Sequence, residues 1–319
     1  MRLGDKMAEK KSNIIAVVGP TASGKTDLAI RLAKHFGGEI ISADSMQIYT
    51  GMSIATAKPE KNEMQGIPHH LMDFLDPKEK FSVSQYCEMA DIAARDILSR
   101  GKVPVLCGGT GLYVRSFLEN IQFAEEKVDE VRRAELNRIY ETEGGEKLLD
   151  YLRTFDPETA GKLLPANSKR IIRAIEIYET TGKTMSQQIA ESHAVPSPYK
   201  AAVIGITYAD RQVLYDRINR RVEIMLEKGL VQETREFYAS DIGNTAAAAI
   251  GYKELKPWLD GEITFAEAVE KLKQETRHYA KRQLTWFKKD EYIHWIYADR
   301  TDDIFRESVE IIEREFDKN

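Results

Sequence analysis

The sequence predicts an α/β fold in which a parallel sheet flanked by helices carries an all-helical insertion domain. Apolar, strand-like runs alternate with segments of helical periodicity, as in βαβ units. A glycine-rich octapeptide, residues 19–26, joins the first strand to the first helix. Residues 123–199, by contrast, are rich in Glu, Lys, Arg and Leu and contain no convincing strand.

The first unit of the predicted sheet consists of a strand, a loop and a helix. Residues 14–18 are apolar and mostly β-branched, and residues 27–33 have the pattern of an amphipathic helix. The octapeptide between them, Gly-Pro-Thr-Ala-Ser-Gly-Lys-Thr, fits the phosphate-loop pattern GxxxxGK(S/T). Its backbone N–H groups, the helix N-terminus and Lys25 favour a bound polyphosphate, and Thr26 offers a hydroxyl to Mg²⁺. The sheet is therefore predicted to be P-loop NTPase-like.

Two further strands are predicted to end beside this phosphate loop. Residues 39–44 form a strand that ends on Asp44, and residues 103–107 form a strand that leads directly into the glycine-rich segment 108–111. A helix over residues 84–100 separates them. Because ligands of a parallel sheet bind beyond the carboxyl ends of its strands, the phosphate loop, Asp44 and residues 108–111 should converge on one cleft.

The rest of the chain divides into the insertion and a return to the core. Residues 1–122 and 200–319 are predicted to form the P-loop core, which is the catalytic domain, and residues 123–199 form the helical insertion domain. A strand over residues 201–206 rejoins the sheet. Everything after Arg211 is expected to be helical.

Composition indicates an ordinary globular protein. The 319 residues carry a formal net charge of −5, which argues mildly against a nucleic-acid partner unless basic residues cluster on one surface. No apolar run approaches the length of a membrane span, and residues 1–11 lack the apolar stretch of a signal peptide. Cys87 and Cys107 are expected to be reduced thiols. We expect a cytoplasmic protein, a monomer, with no membrane partner.

Polar residues at the predicted cleft have both functional and structural interpretations. Asp44 is placed to hold Mg²⁺ or to take a proton from a nucleophile, although Asp is also a favoured helix N-cap. The neighbouring amide of Gln47 suits a base edge, which favours the functional interpretation. His69 and His70 are adjacent and lack partners at metal-ligand spacing, so packing explains them better than a metal does.

Three groups of basic residues are prominent in this acidic chain. Arg217 and Arg221 share a helix face, which is usually solvated but in a diphosphate enzyme can clamp the leaving group. Residues 276–289 interleave cations with aromatic rings, and residues 169–173 form a third group. The stretch 276–289 indicates contact with a phosphate backbone, although an amphipathic helix with extended cations would show the same pattern.

Seven short blocks, in order from residue 14 to about residue 290, resemble the tRNA dimethylallyltransferases, also called tRNA isopentenyltransferases. The first four are Gly-Pro-Thr-Ala-Ser-Gly-Lys-Thr (19–26), Asp-Ser-Met-Gln-Ile-Tyr (44–49), Ile-Pro-His-His-Leu-Met-Asp (67–73) and Gly-Gly-Thr-Gly-Leu-Tyr (108–113). The other three are Lys-Arg-Ile-Ile-Arg-Ala-Ile-Glu-Ile-Tyr (169–178), Ala-Ile-Gly-Tyr-Lys-Glu (249–254) and Tyr-Ala-Lys-Arg-Gln-Leu-Thr-Trp-Phe (279–287). Together they are far more specific than the phosphate loop alone.

The resemblance implies transfer of a dimethylallyl group from dimethylallyl diphosphate to N6 of adenosine 37, in the anticodon stem-loop of tRNA, with release of diphosphate. The phosphate loop would hold this leaving group, with Mg²⁺ on Thr26; its residues are Gly19, Pro20, Thr21, Ala22, Ser23, Gly24, Lys25 and Thr26. Asp44 matches the general base of the family, and Lys25 and Arg221 complete the catalytic set. The residues expected to contact tRNA, from the resemblance or from the basic stretch, are Asp44, Ser45, Met46, Gln47, Thr110, Arg133, Lys169, Arg170, Arg173, Arg277, Lys281 and Arg282.

The resemblance has one departure and leaves two alternatives. Family members commonly have Ile-His-Pro-Asn-Asp before the basic helix, whereas Leu164 and Ser168 stand here in place of the His and the Asp. The insertion is predicted to grip the anticodon stem-loop. One alternative is a P-loop nucleotide or small-molecule kinase with the insertion as a lid, and the other is a non-catalytic RNA-binding switch that hydrolyses nucleotide slowly. Neither accounts for residues 44–47 and 279–287 together.

Overall fold

A computed structural model describes residues 11–123, 129–240 and 243–318. Residues 1–11, in which no signal peptide is expected, therefore lie almost entirely outside the described residues. The chain forms two compact units, Met1–Leu118 with Ser197–Asn319, and Glu119–Pro196. The predicted divisions after residues 122 and 199 fall four and three residues beyond the observed ones, after residues 118 and 196.

The first unit is built on a six-stranded parallel sheet, which confirms the predicted fold class. The strands are β1 (Ser12–Val18), β2 (Glu39–Ser42), β3 (His69–His70), β4 (Pro104–Gly108), β5 (Tyr199–Thr207) and β6 (Ile293–Tyr297). Their order is β3-β2-β4-β1-β5-β6. In the central strand β1, Ile15 lies opposite Val105 of β4 on one side and Ala202 of β5 on the other. The carboxyl ends of β2, β4 and β1 are therefore neighbours.

Helices cover both faces of this sheet and make up the second unit. The described helices are α1 (Lys25–Phe36), α2 (Val83–Ser99), α3 (Gly111–Leu118), α4 (Glu130–Glu143), α5 (Gly145–Arg153), α6 (Pro157–Lys162), α7 (Ser168–Thr181), α8 (Met185–Ser192), α9 (Arg211–Glu227), α10 (Leu230–Ala239), α11 (Asn244–Ala247), α12 (Tyr252–Leu259), α13 (Phe265–Phe287) and α14 (Ile304–Asp317). Of these described helices, none has both the length and the apolar character needed to cross a membrane.

Alternate residues of the central strand pack against opposite layers of helices. On one face, Ile14 and Ala16 share a buried cluster with Tyr86 of α2. On the other face, Ile15 packs in a cluster with residues of α1 and with Ile312 of α14. Both faces of the strand are thus buried, which is why its sequence is continuously apolar and does not alternate with polar residues.

Two strands are absent from the sequence prediction. One of them shows that the prediction of an all-helical chain after Arg211 is wrong. Residues after Arg211 are not all helical, because Ile293–Tyr297 form the edge strand β6 beside β5. Its sequence, Ile-His-Trp-Ile-Tyr, is β-branched and aromatic, the composition that a strand prefers. The second missed strand, β3, consists only of His69 and His70 and pairs with β2.

The second unit, Glu119–Pro196, contains α4 to α8 and no described strand. Its core is made of aliphatic side chains from α4, α5 and α7, including Leu136, Leu148, Leu152, Ile171 and Ile175. These residues recur at helical spacing, so each helix turns an apolar face inward and leaves its charged face outside.

Glu39, at the start of β2, is a buried carboxylate surrounded by cations. Its side chain is 2% exposed, and it accepts hydrogen bonds from Arg100 Nη2 at 2.8 Å and Lys102 Nζ at 2.7 Å. His70 Nε2 lies 2.8 Å from Oε2. The Arg100 guanidinium, with support from Lys102 and His70, holds the pKa of Glu39 well below its usual value although burial acts in the opposite direction.

Replacing this carboxylate should weaken the fold in a pH-dependent way. We expect Glu39→Gln to lower the free energy of unfolding at pH 7 by about 2 kcal/mol, because the surrounding cations lose their counter-charge. Since the folded pKa is depressed, this stabilisation is complete above the unfolded pKa of about 4.3 and is lost as the pH falls from there toward the folded value. Urea unfolding of both proteins at neutral and acidic pH measures the difference.

The control for this prediction is Glu310→Gln, which removes an exposed carboxylate paired with Arg306 at 3.3 Å. This change should alter the stability by less than about 0.5 kcal/mol. Equal urea midpoints for Glu39→Gln and the unchanged protein at pH 7 would contradict the stabilising role of Glu39.

Candidate active site

The phosphate loop leaves β1 and leads into α1 at Lys25, as the sequence predicts. Gly19 has φ +152° and lies so close to β5 that a Cβ there would be 2.4 Å from the carbonyl oxygen of Ile206. Lys25 Nζ lies 3.3 Å from the carbonyl oxygen of Pro20. The hydroxyl of Ser23 is buried without a hydrogen-bond partner among the described residues. A buried hydroxyl of this kind, in a loop rich in backbone N–H groups, suits an anion.

The phosphate loop, Asp44 and the segment 108–111 converge on one cleft, as predicted. Thr21, Asp44 and Gly108 line the same cavity, whose volume is about 720 Å³. The N–H of Thr110 donates to the carbonyl oxygen of Ala43 at 3.0 Å, and Thr110 Oγ1 accepts the N–H of Ser45 at 3.0 Å. These bonds join the residues after β4 to those after β2, and so they fix Asp44 beside the loop.

Lys25 and Arg221 bring two positive charges to this cavity next to Asp44. All three side chains are half-buried. Burial lowers the pKa of Lys25, and Arg221 lowers it further, while Cys107 and Asp44 act in the opposite direction. Burial also lowers the pKa of Arg221, against the effects of Asp44 and Glu63. For both cations the cost of burial outweighs the attraction of the nearby carboxylates. An additional anion in the site would therefore be stabilised.

The carboxylate of Asp44 is held by its own turn. Oδ1 accepts the N–H of Met46 at 2.9 Å, and no hydrogen bond from a described residue reaches Oδ2. No helix begins at Ser45, so the helix N-cap interpretation is wrong. One oxygen of Asp44 is therefore available to a proton or a metal ion.

The donor set at the cavity fits Mg²⁺ in the presence of a phosphate ligand. Thr26 and Asp44 both line the cavity and present a hydroxyl and a carboxylate. Across the described ranges, no group of three His, Cys, Asp or Glu side chains is placed to hold a metal by itself. An ion here would take its other ligands from phosphate oxygens and water, which is the usual coordination of Mg²⁺.

A second part of the cavity wall is apolar. It is formed by side chains from the segment between β2 and β3, from α9, from the residues before α12 and from α13. These side chains are Ile54, Val222, Met225, Ala249, Ile250 and Leu272. The cavity thus places an anion-binding loop and a hydrocarbon surface in one space. This combination suits a ligand with a charged end and a short apolar end.

Glu233 of α10 holds the backbone of the cavity wall that contains Ile54. Its carboxylate accepts the N–H groups of Ser53, Ile54 and Ala55 at 3.0, 2.7 and 2.9 Å. The hydroxyl of Tyr252 donates to the same carboxylate at 2.8 Å. The sequence does not reveal this role, because nothing in a helical segment indicates that a glutamate will bind a distant loop.

Gln47 supports the same wall from the other side. Its Nε2 donates to the carbonyl oxygens of Thr56 and Ala57 at 3.2 and 3.3 Å, and its Oε1 lies 3.3 Å from the hydroxyl of Ser42. The amide is therefore engaged by the protein in this structure. Its predicted contact with tRNA stays a prediction.

Two of the arginines of α9, Arg221 and Arg217, reach the site, and they do so by different routes. Arg221 lines the cavity. Arg217 is exposed, and its Nε donates to the carbonyl oxygen of Ala22 in the phosphate loop at 2.9 Å. The shared helix face predicted for these residues thus contacts the loop that is expected to bind phosphate.

Helix α13 divides its basic residues between two faces. Arg282 and Tyr279 line the cavity, and burial, with a further effect of Asp44, raises the pKa of the Tyr279 hydroxyl. Arg277 Nη1 instead donates to Asn219 Oδ1 of α9 at 2.6 Å. Lys281 is exposed and does not line this cavity. Of the three predicted tRNA contacts on this helix, only Arg282 borders the cavity.

Gln283, on the same helix, is a site residue that is absent from the sequence prediction. Its side chain is 5% exposed. Oε1 accepts the N–H of Thr21 in the phosphate loop at 2.8 Å, and Nε2 donates to the carbonyl oxygen of Gly109 at 2.9 Å. The sequence interpretation of this stretch rests on its cations and aromatic rings. An uncharged amide among them has no feature that indicates a functional role.

Comparisons with known proteins identify the family. The family model described as IPP transferase matches residues 47–290, and the one described as isopentenyl transferase matches residues 12–75. A tRNA dimethylallyltransferase of Halalkalibacterium halodurans is 45% identical over 300 residues, which cover 94% of this chain and 95% of that protein. One of Bacillus subtilis is 47% identical over 290 residues, covering 91% and 92%. The chain belongs to the tRNA dimethylallyltransferase family.

Solved structures agree with this family assignment. A tRNA isopentenylpyrophosphate transferase from Bacillus halodurans superposes with a TM-score of 0.71 and 41% identity, covering 96% of this chain and 98% of that one. A eukaryotic dimethylallyltransferase acting on tRNA gives a TM-score of 0.80 and 30% identity, covering 96% and 79%. The recognition of the family from short sequence blocks is confirmed.

In this member of the tRNA dimethylallyltransferase family, the predicted tRNA contacts of the second unit differ in their surroundings. Lys169 and Arg170 are exposed in the first turn of α7, and no ion pair joins them to another described residue. Cations at a helix N-terminus are disfavoured by the helix dipole unless an anion accompanies them. Arg133 is instead paired through both Nε and Nη2 with Glu176, at 2.6 and 2.8 Å.

The departure from the family pattern lies just before α7. Leu164 is 67% exposed, and Ser168 is the first residue of the helix. Asn167 Oδ1 accepts the N–H of Leu164 at 2.9 Å, which closes the turn without the His and Asp that the family commonly has. The segment therefore keeps a defined turn in this chain.

Removing the Glu233 carboxylate should loosen one wall of the cavity without unfolding the protein. In Glu233→Ala, three backbone N–H groups lose their acceptor, so the amides of Ser53, Ile54 and Ala55 should exchange with deuterium at least about tenfold faster. Hydrogen-exchange mass spectrometry of peptides over residues 53–57 measures this. Glu236→Ala, which removes an exposed carboxylate that accepts a hydrogen bond from Gln232 at 2.8 Å and from no other described residue, is the matched control. Unchanged exchange in Glu233→Ala would show that the wall is held by other contacts.

Proposed function

We propose that the chain transfers a dimethylallyl group from dimethylallyl diphosphate to N6 of adenosine 37 of tRNA and releases diphosphate. The observation that carries this proposal is the single cavity in which the phosphate loop, the available carboxylate of Asp44 and an apolar wall meet. Relatives that are 45% and 47% identical over more than nine-tenths of this chain are named tRNA dimethylallyltransferases. A five-carbon chain on a diphosphate has the charged and apolar ends that such a cavity suits.

The phosphate loop would hold the diphosphate leaving group. Lys25, Arg221 and the backbone N–H groups of the loop would neutralise the negative charge that accumulates as the allylic C–O bond breaks. Removing one such donor typically raises a barrier by about 3 kcal/mol. Thr26 would hold Mg²⁺, which supplies further charge stabilisation to the diphosphate oxygens.

Asp44 would act as the general base. The exocyclic amine of adenine is a poor nucleophile, because its lone pair is delocalised into the ring. A carboxylate at the N–H can take the proton as the new C–N bond forms. Oδ1 is already fixed by the N–H of Met46, so the carboxylate is oriented before substrate binds. The adenine must leave its stack of neighbouring nucleobases to reach the cavity, so the protein has to extrude it from the loop of the tRNA.

We also propose that the second unit and α13 bind the RNA. Lys169 and Arg170 of α7 supply surface charge that no described residue pairs, and Arg282 of α13 supplies charge at the border of the cavity. Arg173, Thr110, Ser45 and Met46 remain candidates for tRNA contact. We further propose that the enzyme is a monomer and acts in the cytoplasm, where it meets its tRNA.

Incubation with dimethylallyl diphosphate, Mg²⁺ and unmodified tRNA tests the proposal directly. Nucleoside mass analysis should detect N6-dimethylallyladenosine, and diphosphate should appear in equal amount. A kinase would instead consume ATP in the presence of an acceptor and release ADP in a reaction that depends on Lys25. Absence of the modified nucleoside at saturating substrates would exclude the proposed activity.

Asp44→Asn should reduce turnover by about 10²- to 10⁴-fold, because an amide cannot accept the proton. The Asn oxygen can still accept the Met46 N–H, so the turn and the tRNA affinity should be retained. The matched control is Asp76→Asn, since Asp76 Oδ1 accepts the N–H of Lys78 at 2.9 Å in a similar turn away from the cavity. Single-turnover rates with saturating tRNA measure the effect, and a loss of less than about tenfold would remove Asp44 from the role of base.

The double replacement Lys169→Ala with Arg170→Ala should weaken tRNA binding and reduce its salt dependence. Each cation that contacts a phosphate contributes about one unit to the slope of log affinity against log salt concentration. Filter binding at several salt concentrations should therefore give a slope smaller by about two. The control is Lys147→Ala with Lys162→Ala, two exposed cations of the same unit that are paired with Glu143 and Glu158. A slope unchanged by the first pair of replacements would place the RNA elsewhere.

A further inference from the structure

The amide of Gln283 connects α13 to both glycine-rich loops of the site. Its acceptor, Oε1, takes the N–H of Thr21 at 2.8 Å, and its donor, Nε2, reaches the carbonyl oxygen of Gly109 at 2.9 Å. The side chain is 5% exposed, so water cannot readily replace either bond. The loop that follows β1, the loop that follows β4 and the helix are therefore joined through one side chain.

The amide fits into a space that exists because residue 109 is a glycine. A Cβ at Gly109 would lie 2.1 Å from Gln283 Nε2, so the glycine leaves the room that the amide occupies. The bond to Thr21 uses a backbone N–H of the phosphate loop itself. A shift of α13 therefore has to move the phosphate loop or break a buried hydrogen bond.

The same helix presents other side chains to the cavity. Tyr279 lies one helical turn before Gln283, and Arg282 is its immediate neighbour in sequence; both line the cavity together with Gln283. The helix thus has a surface suited to RNA phosphates and bases, and one of its buried residues binds the loop suited to diphosphate.

We propose that Gln283 is a positioning residue that couples RNA binding to diphosphate binding by holding α13 and the phosphate loop in one arrangement. The inference rests on the proposed function. A ligand that fixes α13 also fixes the N–H of Thr21, so the second ligand meets a loop that is already ordered. The coupling is reciprocal: the RNA strengthens diphosphate binding by the same factor as diphosphate strengthens RNA binding.

Calorimetric titration of inorganic pyrophosphate with Mg²⁺, with and without saturating anticodon stem-loop RNA, measures the coupling. In the unchanged protein we expect RNA to tighten pyrophosphate binding about tenfold, within the range usual for coupled sites. In Gln283→Met, which keeps the length of the side chain but removes both hydrogen bonds, the factor should fall below about twofold. A merely structural role would weaken both ligands and leave the factor unchanged.

The matched control is Gln274→Met, the same change at an exposed position of α13 that does not line the cavity. It should keep the tenfold factor. If Gln283→Met fails to fold, Gln283→Glu decides the question, because it keeps an acceptor for the Thr21 N–H and loses the donor to Gly109; its factor should fall below about fivefold. A full factor in either Gln283 variant, or a factor near one in the unchanged protein, overturns the proposal.

Product analysis of the unchanged protein separates this inference from the proposed function. If N6-dimethylallyladenosine forms but Gln283→Met keeps the full coupling factor, the function stands and the role of Gln283 falls. If the unchanged protein makes no modified nucleoside, the proposed function itself falls.

Discussion

The site depends on the parallel pairing of β1 with β4 and β5. This strand is hydrogen-bonded on both edges and buried on both faces, so it has no freedom to shift in register. Its last residue leads directly into the phosphate loop. Because β4 and β2 follow in parallel on one side, the segments that carry Gly108 and Asp44 emerge at the same edge. The positions of the loop and the carboxylate are thus consequences of strand order.

Two carboxylates near opposite ends of β2 show how surroundings determine what an acid can do. Glu39 at the start is enclosed by Arg100, Lys102 and His70, and all of its hydrogen-bonding capacity serves the fold. Asp44, two residues beyond the end of the strand, has one oxygen bonded to its own turn and faces a cavity. The first arrangement stabilises a permanent charge, and the second leaves a charge available for chemistry.

Sequence reasoning predicts those parts of the molecule in which a local pattern determines the outcome. The phosphate loop, the central strands and the convergence of Asp44 with residues 108–111 all follow from strand-and-turn patterns, and the structure confirms them. The edge strand β6 escapes prediction because it stands alone between two helices, α13 and α14, with no second strand-like run beside it in sequence. Glu233 and Gln283 escape it because their partners are 178 to 180 and 174 to 262 residues away along the chain. Such contacts depend on how helices pack, which no short window of sequence contains.

The steric fit between Gly109 and Gln283 restricts how this chain can change by mutation. A side chain at position 109 would meet the amide nitrogen of Gln283, so the amide would have to move away from its present hydrogen bonds. A smaller residue at 283, in turn, would release the phosphate loop while position 109 was still glycine. Because the two residues are in direct contact, the effects of replacing both are expected to be non-additive. A replacement at one of them therefore changes what the other can tolerate.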